Sequence, residues 1–100
     1  MSMKNFRTYQ IATEFYRCSL TLKFPGTLKN QFERAASSIA LNLAEGAGRF
    51  SKKDQKRFYH IAFGSLRECQ AILDLVGEQN TELLELADKL VPFQKSSFTS

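Results

Sequence analysis

The sequence predicts an all-α fold, an antiparallel up-and-down four-helix bundle with a short fourth helix. Three observations point that way. Apolar residues recur at three- and four-residue intervals in four successive segments. Pro and Gly, with Thr, Asn and Ser beside them, punctuate the chain between those segments. Neither strand-like alternation nor an internal repeat interrupts the pattern. One hundred residues make one domain, and with 43% apolar residues it can close a modest core without disulfide or metal staples.

After a loose stretch at residues 1–5, the first helix is predicted over about residues 6–24. Phe6, Tyr9, Ala12, Tyr16 and Ser19 fall on one face, which Phe15, Leu20 and Leu22 widen. Pro25-Gly26 stops it, because Pro cannot continue the hydrogen-bond ladder and Gly supplies the turn. So short a connection makes the next helix an antiparallel neighbour. That helix is expected over about residues 28–45, capped by Thr27, with Leu28, Phe32, Ala35, Ala36, Ile39 and Leu43 in a stripe and Leu41 and Ala44 off it. Its centre, Ala35-Ala36-Ser37-Ser38, is narrow enough for another backbone to approach. Gly46 is expected to close it as a left-handed C-cap.

Ser51-Lys52-Lys53-Asp54 resembles a capping box with Asp in place of Glu, so the third helix should open at Ser51 and run over about residues 52–76. Phe58, Ile61, Ala62, Ser65, Cys69, Ile72 and Val76 form one stripe, and Tyr59, Phe63, Leu66 and Leu73 a second beside it. Two adjacent stripes point to burial on more than one side, and so to a subunit contact. Residues 77–81 make the next turn, where Asn80 or Thr81 can cap a fourth helix over about residues 81–91. Leu83, Leu84, Leu86, Ala87, Leu90 and Val91 supply its buried side. Pro92 should end it and leave 92–100 as a flexible tail.

The net charge of +4 is unevenly spread. Arg49, Lys52, Lys53, Lys56 and Arg57 stand together with Asp54 alone among them, whereas Asp74, Glu78, Glu82, Glu85 and Asp88 follow one another without a base. Such a polarised molecule can steer an anionic partner or set up association between unlike faces. The N-terminus has no signal-peptide character, and no apolar run approaches the roughly 18 residues of a membrane span. A cytoplasmic protein without a membrane partner is therefore expected. Cys18 and Cys69 sit in helical patterns and read as buried thiols rather than a disulfide or metal pair.

Three groups of residues invite a functional reading. Arg34, Ser38, Asn42 and Glu45 share a side of the second helix, with Glu68 able to approach from the third. Buried polar groups require partners, so this set is either a catalytic network or a structural one that fixes register and holds the turn; the structural reading is preferred, with Glu45 accepting from amides at the start of the third helix. The turn Gly46-Ala47-Gly48-Arg49 precedes a helix N-terminus, yet no strand leads into it and no Gly-Lys-Ser/Thr ends it, so nucleotide fingerprints fail. It reads as a cap and loop, with room for one backbone phosphate near Arg49 and Ser51. The basic group Arg49, Lys52, Lys53, Lys56 and Arg57 carries the main signal. It is either a solvated face, with Arg57 paired to an acid, or a surface that neutralises phosphates. His60 has no Ser or Cys partner at a fixed spacing, and no HExxH, Glu-x-x-His or spaced Cys set occurs, so neither enzyme activity, a cofactor nor a metal is expected.

Ser38-Ile39, Asn42-Leu43-Ala44-Glu45-Gly46, Gly48-Arg49, Arg57-Phe58, Ile61-Ala62, Gly64-Ser65-Leu66 and Glu68 resemble the signature of the four-helix-bundle proteins encoded in 23S rRNA intervening sequences. That family is similar in turn to the accessory variability determinant proteins of diversity-generating retroelements. The resemblance spans roughly residues 4–91. It implies a homo-oligomer, pentamers included, that acts as an accessory to rRNA or to a nucleic-acid enzyme such as a reverse transcriptase. The short fourth helix and tail depart from the family's pattern. The expected function is thus non-enzymatic binding of structured RNA or an RNA/DNA hybrid through the basic group, shape- or charge-driven because phosphate contacts carry no base information. The alternative is a protein-interaction and assembly scaffold that touches no nucleic acid.

Overall fold

The computed structural model describes the backbone of residues 2–99 and the side chains of residues 2–90. Four helices follow one another: α1 (Met3–Ser19), α2 (Gly26–Ala47), α3 (Lys52–Val76) and α4 (Thr81–Thr99). Each packs against its neighbours in sequence, α4 returns beside α1 to close the ring, and among the described residues the backbones of diagonal helices do not come close. The bundle measures 40 × 22 × 20 Å. Contact is densest between α2 and α3 and thinnest between α3 and α4, where an open groove of about 380 Å³ carries the charges of Arg67, Asp74 and Asp88.

The core is continuous through all four helices. Phe32 lies at its centre, with the Phe15 ring 5.6 Å away and the Phe24 ring edge-on at 5.4 Å. Burying a side chain of this size contributes about 1.5–3 kcal/mol. On α2 the expected stripe is the buried one, with Leu28 partly covered and Leu41 exposed. On α3 the core draws on both expected stripes, taking Ala62, Cys69 and Ile72 from the first and Leu66 and Leu73 from the second. One subunit therefore covers most of the doubled apolar surface. Leu83, Leu86, Ala87 and Leu90 bury the matching side of α4.

Several boundaries differ from expectation. α1 starts at Met3, where the Ser2 hydroxyl accepts from the Asn5 amide at 3.1 Å. It stops at Ser19, well before Pro25. The chain tightens there through three successive i→i+3 bonds, from the amides of Leu20, Thr21 and Leu22. Ser19 and Thr21 hydroxyls take the carbonyls of Tyr16 and Cys18, and Lys29 Nζ donates to those of Leu20 and Leu22. The carbonyls that a longer helix would have used are thereby satisfied. Phe6 and Leu20, expected on the buried face, are 47% and 45% exposed. Pro25 occupies the N-cap position of α2, with no side-chain cap, so Thr27 lies inside the helix. Its fixed φ suits a helix start better than the stop it was expected to provide.

α3 begins and ends at the expected residues. Ser51 Oγ accepts from the Asp54 amide at 3.1 Å, and Gly77 ends the helix in the left-handed region, φ 65°. Asn80 caps α4 by accepting from the Leu83 amide at 3.0 Å. The backbone of α4 runs past Pro92 to Thr99, whereas Pro92 was expected to end it. A proline removes one rung of the ladder without forbidding helical torsions to the residues beyond it. The described side chains of α4 are those of the ten residues 81–90. The side chains of 91–100, Val91 among them, lie outside the described residues.

Candidate functional site

The α2–α3 turn gathers the basic residues at one end of the bundle. Asn5 Nδ2 donates to Tyr59 Oη, which brings the start of α1 to this same end. Burial first, then Glu82 and Glu78, raise the pKa of the Cys18 thiol above the ordinary 9.0. The acidic group therefore meets the far end of α1. The charge segregation of the sequence becomes a lengthwise polarity, strongest at the basic end, because Arg17, Lys23 and Lys29 stand at the same end as the acidic group.

Gly46 was expected as a left-handed C-cap, and it is instead buried inside α2, with Gly77 the residue of positive φ among those described. Its role is spatial. A Cβ at this position would stand 2.6 Å from Tyr59 Cε1, 3.0 Å from Tyr59 Cδ1 and 3.2 Å from Phe58 Cβ. The missing side chain lets α3 lie close against α2 just where the turn begins. Gly48 ends the helix with φ −87°, an ordinary right-handed torsion.

The turn itself is held by polar contacts. Gly48 and Arg49 amides donate back to Glu45 and Gly46 carbonyls, Gln55 Nε2 donates to the Arg49 carbonyl at 3.0 Å, and the Gln55 amide bonds the Ser51 carbonyl. Glu45 was expected to accept from amides of α3. It holds Arg49 instead, at 2.9 Å, in an i,i+4 pair on the exposed surface. The Phe58 ring organises two guanidinium groups, with Arg49 Cζ 4.7 Å and Arg57 Cζ 4.5 Å from its centroid. Arg57 also lies 3.8 Å from Asp54. Both arginines are thus positioned and partly compensated. Lys52, Lys53 and Lys56 are exposed, and none takes part in an ion pair among the described residues.

The expected polar network is smaller and has a different third member. Ser38 and Asn42 are joined, Asn42 Nδ2 donating to the Ser38 carbonyl at 2.8 Å and to its Oγ at 3.0 Å. Ser65 on α3 completes the set by donating to Ser38 Oγ at 2.8 Å. Arg34, Glu45 and Glu68 are exposed and stand outside it. Their long side chains reach water without leaving the helix face, so burial imposes no partner on them. The network ties α2 to α3 at mid-length and leaves the turn to other contacts.

Phe50 belongs to neither helical stripe and was not among the residues singled out by the sequence. Its ring is fully exposed, 107% of the reference area. The signal was an aromatic beside the turn with Ala47 alone as an apolar residue three or four positions away. His60 is exposed on the surface of α3. Among the described residues no group of three or more His, Cys, Asp or Glu could hold a metal, and no helix is long and apolar enough to cross a membrane. Cys18 and Cys69 are free thiols, Cys69 buried and Cys18 partly so.

A family model described as 23S rRNA-intervening sequence protein matches residues 5–91. No curated protein matches the chain, and no solved structure does.

Proposed function

The chain belongs to the 23S rRNA-intervening sequence protein family, and from that premise we propose that it binds structured nucleic acid, RNA or an RNA/DNA hybrid, through Arg49, Lys52, Lys53, Lys56 and Arg57. It does so without catalysing a reaction, in the cytoplasm, as an accessory to rRNA or to a nucleic-acid enzyme such as a reverse transcriptase. One observation carries the reading. Lys52 and Lys53 occupy the first turn of α3, where the helix dipole already places positive potential, and Asp54 is the one acid there. Cations at that position oppose helix stability by about 0.3–1 kcal/mol each at low salt. A sequence that breaks a local rule at an exposed site has a reason beyond folding, and an anionic partner supplies it: the dipole and the lysines then act together.

The test is binding of a labelled RNA hairpin, an RNA/DNA hybrid and duplex DNA across a salt series. The natural protein is compared with a Lys52→Glu, Lys53→Glu, Lys56→Glu variant, which spares the arginines packed on Phe58. With five phosphate contacts, affinity should fall on the order of a few hundred-fold between 50 and 200 mM salt, and the variant should lose binding while its helical signal is kept. Equal binding by the variant would remove these lysines from the interface.

The lengthwise polarity favours a second reading, assembly of copies by unlike ends, with Leu41 and Ile61 as exposed apolar positions on the α2 and α3 surface. We propose a homo-oligomer on this ground; that it is a pentamer is what the family resemblance alone implies. Mass in solution discriminates: an assembly built on charge dissociates as salt rises, and one built on apolar contact persists.

A further inference from the structure

We infer that Phe50 is a stacking platform for an unpaired base, so that the ligand of the basic turn is RNA carrying a loop, bulge or single-stranded flank rather than a continuous duplex. The inference rests on the proposed nucleic-acid reading and adds to it the element of structure that is recognised.

Leaving a Phe ring in water forgoes about 1.5–3 kcal/mol of burial, and nothing local forces that outcome here. The ring is also displayed rather than loose. The residue before it is fixed through its amide to Gly46, its carbonyl to Gln55 and its guanidinium to Glu45 and Phe58. The residue after it is Ser51, which caps α3 by accepting the Asp54 amide and whose carbonyl accepts the Gln55 amide. Phe50 is therefore presented on a backbone pinned on both sides, between Arg49 and the exposed Lys52 and Lys53.

The composition around it selects the occupant. From Glu45 to Arg57, Ala47 is the one other apolar residue. A lipid surface or a protein pocket gains its affinity from contiguous apolar area, which the turn itself does not offer, the exposed Met3 and Phe6 at this end belonging to the start of α1. A base needs one aromatic face, and its flanking phosphates need cations within a nucleotide's reach, which the turn does offer. Stacking tolerates any base, so the site reads unpairedness rather than sequence.

The experiment compares two RNAs that share a stem, one closed by an unpaired loop containing 2-aminopurine and the other a blunt duplex of equal charge. They are bound to the natural protein and to Phe50→Ala and Phe50→Trp variants. Phe50→Ala is expected to weaken the looped RNA roughly 5- to 150-fold. It should leave the duplex affinity and the salt slope unchanged, and Phe50→Trp should restore loop binding and quench 2-aminopurine. Because the ring is exposed, all variants should melt alike. If Phe50→Ala binds the looped RNA as tightly as the natural protein while the triple-lysine variant does not, the stacking inference falls and the basic interface stands. If loop and duplex weaken equally, Phe50 does not read unpaired bases. If no RNA binds the natural protein, the nucleic-acid reading falls with it. A blue shift of Phe50→Trp emission on phosphatidylserine-containing vesicles, without one on RNA, would overturn the inference in favour of a membrane surface.

Discussion

Residues 48–51 and 77–80 each reverse the chain in four residues at opposite ends of α3, yet they meet the needs of the helix ends by different means. At 77–80 the backbone does the work. Gly77 takes the left-handed torsion, its amide bonds the Asp74 carbonyl, and the Glu78 amide returns to Leu73 at 3.0 Å, a Schellman arrangement. The Glu78 carboxylate then accepts the amides of Gln79 and Asn80, and Asn80 caps α4. At 48–51 side chains do it, through Glu45 on Arg49, Gln55 on the Arg49 carbonyl and two guanidinium groups on Phe58. The important glycine there is one turn upstream, inside the helix, and serves space rather than torsion. The acidic turn therefore spends its polar groups on itself. The basic turn leaves three lysines and an aromatic ring facing water.

That contrast is broken most directly at the glycines. Gly46→Ala drives a Cβ to 2.6 Å from the Tyr59 ring, whose hydroxyl accepts from Asn5 Nδ2, and to 3.2 Å from Phe58 Cβ. It should cost about 1–3 kcal/mol and lower Tm by roughly 4–8 °C per kcal/mol in a domain of this size. Gly77→Ala meets no atom within 4 Å but is strained at φ +65°, and should cost about 1 kcal/mol. Gly64→Ala has neither problem, and it should stabilise α3 by about 0.5–1 kcal/mol. Thermal melts of the three variants check the order. A Gly46→Ala melt equal to that of the natural protein would mean that Tyr59 moves aside freely, and that the close approach of α2 and α3 is not what the glycine provides.

These glycines also mark how far the sequence could be read. The number, order and direction of the helices, the ends of α3 and the core stripe of α2 were legible, because period and caps are local properties of the chain. So was the family, from motif residues that cluster around the α2–α3 hairpin. Gly46 was misread because a C-cap and a close contact call for the same residue, and only the position of Tyr59 separates them. The end of α1 was missed because Lys29, nine residues beyond Leu20, takes the carbonyls that set it. Ser65 was placed in an apolar stripe, and its hydrogen bond to Ser38 depends on register between two helices. The members of the basic group were legible but not their difference in status, with two arginines positioned on a ring and three lysines at the surface.

A second contrast lies in the charges at the two helix starts. The first turn of α4 carries Glu82, agreeing with the dipole, and that of α3 carries Lys52 and Lys53, opposing it. Lys52→Glu and Lys53→Glu should therefore each raise stability by about 0.3–1 kcal/mol at low salt, while Glu82→Lys should lower it by a similar amount. The gain should shrink as salt is added. Denaturant melts at two ionic strengths give the answer. Lysine variants that become more stable as they lose RNA binding would show that the turn is shaped by its partner against its own folding. Variants less stable than the natural protein would show that the lysines support the fold, and the main argument for the interface would be lost.

The smallest expected effect tests whether the acidic end generates the field that the polarity requires. Burial first, then Glu82 and Glu78, hold the Cys18 thiol above its ordinary pKa of 9.0. The thiolate is the reactive form, so at pH 8 Cys18 should alkylate more slowly than a free thiol, with the rate climbing as pH rises past 9. Burial acts in the same direction on Cys69, with a smaller push from Glu68; its thiol should stay unreacted in the native protein. Both shifts favour the neutral form in the folded state. The stability they contribute is complete below pH 9.0 and is lost as pH rises towards the folded values. Glu78→Gln keeps an acceptor for the turn amides while removing the charge, and Glu82→Gln removes the other. Each should speed Cys18 alkylation at pH 8 by roughly two- to threefold at low salt, and less at high salt. Burial, being the larger cause, should keep both variants slower than a free thiol. Rates untouched by either substitution would mean that the carboxylates set no appreciable potential at the end of α1. The lengthwise polarity would then be a feature of the sequence without electrostatic consequence, and assembly by unlike ends would lose its physical basis.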